Sequence, residues 1–136
     1  MSFFQNTCKP SGLGGRLMVK MMNSGHAKLA DWGFSQIQAR ADARVLDAGR
    51  VTGMDYSEIG VAETRKINDA AIKAGRCDVV QGNAAAMPFQ AETFDVVSAF
   101  ETVYFWPGLE ACFAEVNRVM KRGGTFMICN ESDGTN

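Results

Sequence analysis

The sequence predicts an α/β fold, a doubly wound and mostly parallel sheet with helices on both faces, from two features of its patterning. Short apolar runs of strand length alternate with longer runs whose apolar residues recur at helical spacing. Strands alternating with helices in this way indicate right-handed crossover units, and the first two strand candidates each close with an acidic residue. In such sheets ligands bind at the carboxyl ends of the strands, so the residues closing each strand are the candidates for function.

The elements follow in order. From Leu13 to Asn23, residues Leu13, Leu17, Met18, Met21 and Met22 share one helical face, and Gly25 is placed to stop the helix. A second helical stretch runs from about Ala27 to Ile37 with Leu29, Ala30, Trp32, Phe34 and Ile37. Residues 1–43 are thus expected to form a helical segment able to act as a lid, and residues 44–136 an α/β domain, the whole being one structural unit. The first strand is Arg44–Gly49, ending Asp47-Ala48-Gly49. Only Arg50 separates it from a second candidate, Val51–Asp55.

Ser57 is placed to cap a helix whose apolar stripe is Ile59, Ala62, Ile67, Ala70 and Ala71, with Glu58 near its positive end and Gly75 closing it. Asp78–Gln81 is the third strand, followed by the loop Gly82–Phe89. Phe94–Ala99 is the fourth, with the near-continuous apolar character of a strand buried on both faces. Leu109, Cys112, Phe113, Val116, Val119 and Met120 mark a helix from Gly108 to Lys121, which Arg122-Gly123-Gly124 ends. Thr125–Asn130 is the fifth strand, and the polar remainder is expected to fray.

Composition narrows the function classes. A chain of 136 residues has room for one domain core. Its 14 Lys plus Arg and 15 Asp plus Glu form no long run of one sign, so neither a nucleic-acid track nor a basic membrane patch is expected, and the partner is a small molecule. Cys8, Cys77, Cys112 and Cys129 are scattered without CxxC or Cys/His pairing, against a zinc site or a disulfide framework. No leader pattern opens the chain and no apolar run approaches a membrane span, so a soluble cytoplasmic protein is expected. His26 lies between the two N-terminal helices and reads as a capping or surface residue. No GxGxxG stands between a strand and a helix, which sets aside a nicotinamide-dependent dehydrogenase.

The segments VLDAG, GMDYS, GNAAAMPF, FDVVSAF and VMKRGGTF, in that order from Arg44 to Asn130, resemble class I S-adenosylmethionine-dependent methyltransferases of the small-molecule, ubiquinone-biosynthesis-like kind, the type 11 methyltransferase domain. The resemblance implies a Rossmann-like fold, S-adenosylmethionine as cofactor with S-adenosylhomocysteine as product, methyl transfer to a small-molecule acceptor, and no metal. It places Asp47 and Gly49 at the turn near the methionine part of the cofactor, and Asp55 on the ribose hydroxyls, where a carboxylate offers two acceptors. It sets Asn83, Ala84 and Met87 along the adenine. It puts Phe100 and Trp106 facing the substrate, with Glu101 and Tyr104 as the catalytic candidates that remove or orient a proton. By residue type alone, Phe100 and Phe105 suit core packing better than a substrate wall.

The departure from the family pattern matters as much. The family inserts a glycine-rich turn and a helix between its first two strands, whereas Asp47 and Asp55 are only eight positions apart. Parallel neighbours need a crossover of about a dozen residues. Either the two segments merge into one extended strand, or one leaves its place, for example by exchange with another chain. The sequence thus reads as internally deleted and shortened at its C-terminus. The alternative function is a catalytically impaired remnant, or a pseudoenzyme subunit acting through protein association, with self-association through exposed sheet surface.

Overall fold

A computed structural model describes residues 50–130 of the chain. The expected N-terminal helices with His26, the strand Arg44–Gly49, the division after residue 43 and the polar tail lie outside the described residues. Those described divide into two compact units, one ending at Gln81 and the other starting at Gly82.

The first unit is strand, helix, strand. β1 is Val51–Asp55, α1 is Glu58–Ile67, a short α2 is Asp69–Lys73 and β2 is Cys77–Gln81. β1 and β2 pair in parallel, from Val51 opposite Cys77 to Asp55 opposite Gln81. The helical connection supplies the crossover that parallel pairing requires. Ser57 starts α1 as the sequence suggests: its backbone is extended and its hydroxyl accepts from the Gly60 N–H at 3.3 Å. Glu58 occupies the first turn, and Arg65 and Lys66 the last, each sign suited to its end of the helix dipole.

The single helix expected through Gly75 is interrupted at Asn68. There the side-chain amide donates to the Thr64 carbonyl at 2.9 Å and the backbone N–H donates to the same oxygen at 3.1 Å. Asparagine competes for backbone partners in this way, so α1 closes on itself before α2 begins. Val61 and Val79 are the buried apolar residues of this unit. Both backbone groups of Val79 are occupied by side chains: its N–H by the Asp78 carboxylate at 2.8 Å, and its carbonyl by Arg65, which donates at 3.0 and 2.6 Å. Side chains seated on a strand's polar groups in this way discourage another strand from adding there.

The second unit repeats the pattern. β3 is Phe94–Phe100, a single 3-10 turn spans Val103–Phe105, α3 is Leu109–Val119 and β4 is Met120–Cys129. β3 and β4 pair in parallel, and α3 contributes Cys112, Val116 and Val119 to a core completed by Ala99 and Cys129. β3 is less covered than its composition suggests. Among the described residues it has one strand neighbour, Ala99 alone is buried, and Phe94, Val96, Val97 and Phe100 are half-buried.

The boundary between α3 and β4 also differs from the expected one. The helix stops at Val119, and Met120 already pairs with Phe94. The next pair is Thr125 with Val96, so Lys121–Gly124 bulge out against the single residue Asp95. Gly123 adopts φ +77°, and a Cβ on Gly124 would stand 2.7 Å from Met120 Cγ and 2.9 Å from the carbonyl oxygens of Asp95 and Lys121. The glycine pair is therefore a strand bulge rather than a simple helix stop. Since two of those contacts are backbone, Gly124→Ala is expected to destabilise the chain by about 1–3 kcal/mol, read as a lower thermal midpoint, whereas Ala at exposed Thr125 has the smaller effect of a lost side chain without a clash.

Candidate functional site

In the first unit the carboxyl end of β1 carries Asp55, and the turn into α1 determines what that carboxylate meets. Asp55 Oδ1 accepts the Ser57 N–H at 2.7 Å, so the side chain curls back over the helix start. Asp55 is exposed as a residue, yet its carboxylate lies against Gly60, where a Cβ would meet Oδ2 first, then Cγ at 2.7 Å and Oδ1 at 3.0 Å. Gly60 thus leaves room for the carboxylate, a role invisible in the sequence because a glycine within a helical run gives no sign of the side chain above it. Burial pushes the Asp55 carboxyl above the ordinary 3.8, partly offset by the Ser57 hydrogen bond. Among the described residues Oδ2 has no hydrogen-bond partner. At the end of β2, the Gln81 amide donates to the Tyr56 carbonyl at 3.1 Å and fixes the turn beyond Asp55.

In the second unit the loop after Gly82 is shaped by its own groups. Asn83 Oδ1 accepts the Ala85 N–H at 2.9 Å and its carbonyl accepts the Ala86 N–H at 3.0 Å, a turn of the kind asparagine favours. Asn83, Ala84 and Met87 are half-buried. Met87 is gripped from α3: its N–H donates to Glu115 Oε2 at 2.7 Å and its carbonyl accepts from Arg118 Nη2 at 3.0 Å. Neither Glu115 nor Arg118 stood out as a site residue in the sequence. Their i, i+3 spacing was the available signal, but it looks the same for a solvated pair.

The carboxyl end of β3 brings Glu101 and Tyr104 together. Glu101 has φ +52°, unusual for a residue with a Cβ, and its N–H donates to the Cys129 carbonyl at 2.9 Å. The 3-10 turn then returns Tyr104, whose hydroxyl donates to Glu101 Oε2. Tyr104 is 54 % exposed while Glu101 is half-buried, so the pair forms a carboxylate and phenol at the surface of the strand end. Tyr104 packs edge-on against Phe105 with centroids 4.8 Å apart. Trp106, which closes the same turn, has its ring stacked on Phe126 at 6.4 Å and edge-on to Phe113 at 5.9 Å. Phe100 is half-buried. Asp47 and Gly49 lie outside the described residues. Among the described residues no three His, Cys, Asp or Glu side chains gather as a metal site, and no helix is long and apolar enough to cross a membrane.

Comparison with known proteins places these features in a family. The methyltransferase domain family matches residues 32–128. Cycloartenol-C-24-methyltransferase 1 of Oryza sativa subsp. japonica is 35% identical over 78 residues, covering 57% of this chain and 23% of its own length. A phthiotriol/phenolphthiotriol dimycocerosates methyltransferase of Mycobacterium tuberculosis is 29% identical over 126 residues, covering 93% of this chain and 42% of its own. The chain therefore spans less than half the length of these relatives. Among solved structures, a putative S-adenosyl-L-methionine-dependent methyltransferase of Methanococcus maripaludis superposes with a TM-score of 0.64 at 18% identity, covering 85% of this chain and 63% of that one. The complex of the Haloferax volcanii Trm112 methyltransferase activator with a putative methyltransferase gives 0.66 at 19% identity, covering 79% and 54%. Those two likenesses establish the Rossmann-like α/β fold. With more than half of its residues matched, the chain belongs to the methyltransferase domain family, the class I S-adenosylmethionine-dependent methyltransferases.

Proposed function

We propose that this chain binds S-adenosylmethionine and promotes transfer of its methyl group to an apolar small molecule in the cytoplasm. The observation that carries the reading is Asp55, a carboxylate at the end of a parallel strand with one oxygen anchored by Ser57 and the other without a partner among the described residues. That is the acceptor a ribose diol needs, since Oδ2 is already oriented by the bond on Oδ1. Asn83 is assigned to the adenine side. Its Oδ1 is committed to Ala85, so its amide N–H groups and the apolar surfaces of Ala84 and Met87 are what it and its neighbours can offer a purine. The apolar acceptor is supported by the two relatives named for a cycloartenol and a dimycocerosate substrate.

Bound S-adenosylmethionine supplies an electrophilic sulfonium methyl. The chain's own part is to hold the acceptor in line, exclude water and take up a proton. Glu101 is the group that takes the proton. Tyr104 orients its carboxylate through Oε2, and the carboxylate receives the proton from the acceptor's nucleophilic atom. A backbone in the left-handed region at a non-glycine residue costs about 1–3 kcal/mol, which is consistent with selection for where that carboxylate points. Phe100 and Trp106 are assigned to the acceptor side through the family resemblance, and Asp47 and Gly49 to the methionine end.

The experiment is transfer of labelled methyl from S-adenosylmethionine to a panel of apolar acceptors, sterols included, with size-exclusion chromatography alongside. Turnover by a monomer supports the reading. A folded chain that self-associates and neither binds cofactor nor transfers methyl supports the remnant or pseudoenzyme subunit instead, the reading favoured by the short interval between Asp47 and Asp55.

A further inference from the structure

We propose that Glu115 and Arg118 of α3 are positioning residues for adenine recognition, acting by clamping the backbone around Pro88 so that the loop from Asn83 is presented in one geometry. This rests on the reading of that loop as the adenine side of the cofactor site. The two side chains pair twice: Arg118 Nε donates to Glu115 Oε1 at 2.6 Å and Nη2 donates to Oε2 at 2.8 Å. Each then reaches the loop. Glu115 Oε2 accepts the Met87 N–H at 2.7 Å, and Arg118 donates from Nη2 to the Met87 carbonyl at 3.0 Å and from Nη1 to the Phe89 carbonyl at 2.8 Å.

An ordinary i, i+3 ion pair on a helix surface would leave its remaining donors to water. Here they are spent on the backbone either side of a residue that has no N–H of its own and restricts the residue before it. The Glu115 side chain is only 20 % exposed and that of Arg118 37 %. The Glu115 carboxyl is held down to about 2, chiefly by Arg118 and then by Met87 N–H, so the clamp stays charged throughout the physiological range. Downstream the chain is fastened to the same helix end, Glu92 N–H to the Arg118 carbonyl at 2.9 Å and Thr93 N–H to that of Val119 at 2.8 Å. Upstream the Asn83 turn closes on itself. The half-buried surfaces of Ala84 and Met87 thus lie between two fixed points, the condition under which a loop recognises a flat ring without ordering itself first.

Only a planar fork can serve one carboxylate and two carbonyls together, so Lys at 118 keeps the charge and loses the geometry. The test is isothermal titration of the wild-type chain, Arg118→Lys and Glu115→Gln with S-adenosylhomocysteine and with S-inosylhomocysteine, which differs at the purine 6-position. The wild type is expected to favour the adenine form. Both variants are expected to bind it about tenfold more weakly, with the preference over the hypoxanthine form falling towards one. A variant that is merely less stable would lose affinity for both forms and keep their ratio, and an unchanged ratio overturns the clamp. A folded wild type that binds neither form overturns the cofactor reading itself, and this inference with it. Should either variant fail to fold, hydrogen exchange at Met87 N–H in the wild type decides: strong protection already present without ligand supports the clamp, and fast exchange that slows only on saturation with S-adenosylhomocysteine contradicts it.

Discussion

Glu101→Gln is expected to lower kcat by roughly 10²-fold or more while changing KM for S-adenosylmethionine by less than about twofold. Glutamine keeps the shape of the side chain and can still accept the Tyr104 hydroxyl, but it takes no proton from an acceptor. The loss falls on kcat because the proton moves only in the reacting complex. Tyr104→Phe tests the orienting part: the carboxylate remains and loses the hydroxyl that holds Oε2, so a drop of about tenfold in kcat is expected. Initial rates with the best acceptor found for the wild-type chain, taken at saturating and limiting cofactor, separate the two constants. A Glu101→Gln enzyme with unaltered kcat would reduce this acid to a structural role at the strand end.

Asp55→Asn is expected to weaken S-adenosylhomocysteine binding by about 10–100-fold, the loss of about 1.5–3 kcal/mol in a hydrogen bond to a charged group. The same substitution is expected to leave the unliganded chain as stable as the wild type, or more so. The sign follows from burial, which raises the carboxyl pKa in the folded chain above its ordinary 3.8. Stability linked to Asp55 is therefore fully present below 3.8 and is lost as pH rises through the folded-state value. At neutral pH the ionised group stands against folding, whereas asparagine keeps an acceptor for Ser57 N–H and carries no charge. Thermal midpoints should then favour the variant at neutral pH and converge as the pH falls below the ordinary carboxylate range. Lower affinity with undiminished stability marks a carboxylate held for a ligand rather than for the fold.

Much of the described fold was legible in the sequence because its elements are short and strongly patterned. β1 and β2 are as long as their β-branched and apolar runs, and Ser57 caps α1 as its position before Glu58 suggests. What escaped depended on partners distant in sequence or on side chains competing with backbone. Asn68 ends α1 with its side-chain amide on the Thr64 carbonyl, beside the regular backbone bond, which helical periodicity does not register. The pairing of Met120 with Phe94 draws β4 back to the helix end, and only the partner strand shows that Lys121–Gly124 is a bulge. The candidate site divides along the same line. Asp55, Glu101 and Tyr104, at strand ends or just beyond, are candidates through the family resemblance, while the contacts of Gly60 with the Asp55 carboxylate and of Glu115 and Arg118 with the loop are visible only in the structure. Trp106, which the resemblance puts facing the substrate, has its ring packed against Phe113 and Phe126.

Isothermal titration of the purified chain with S-adenosylhomocysteine, with Asp55→Ala in parallel, tests most directly whether this chain holds a cofactor site. Micromolar binding by the wild type, abolished in Asp55→Ala while the variant remains folded, is the result predicted. Absence of binding by a folded wild-type chain, or equal binding by Asp55→Ala, would contradict it.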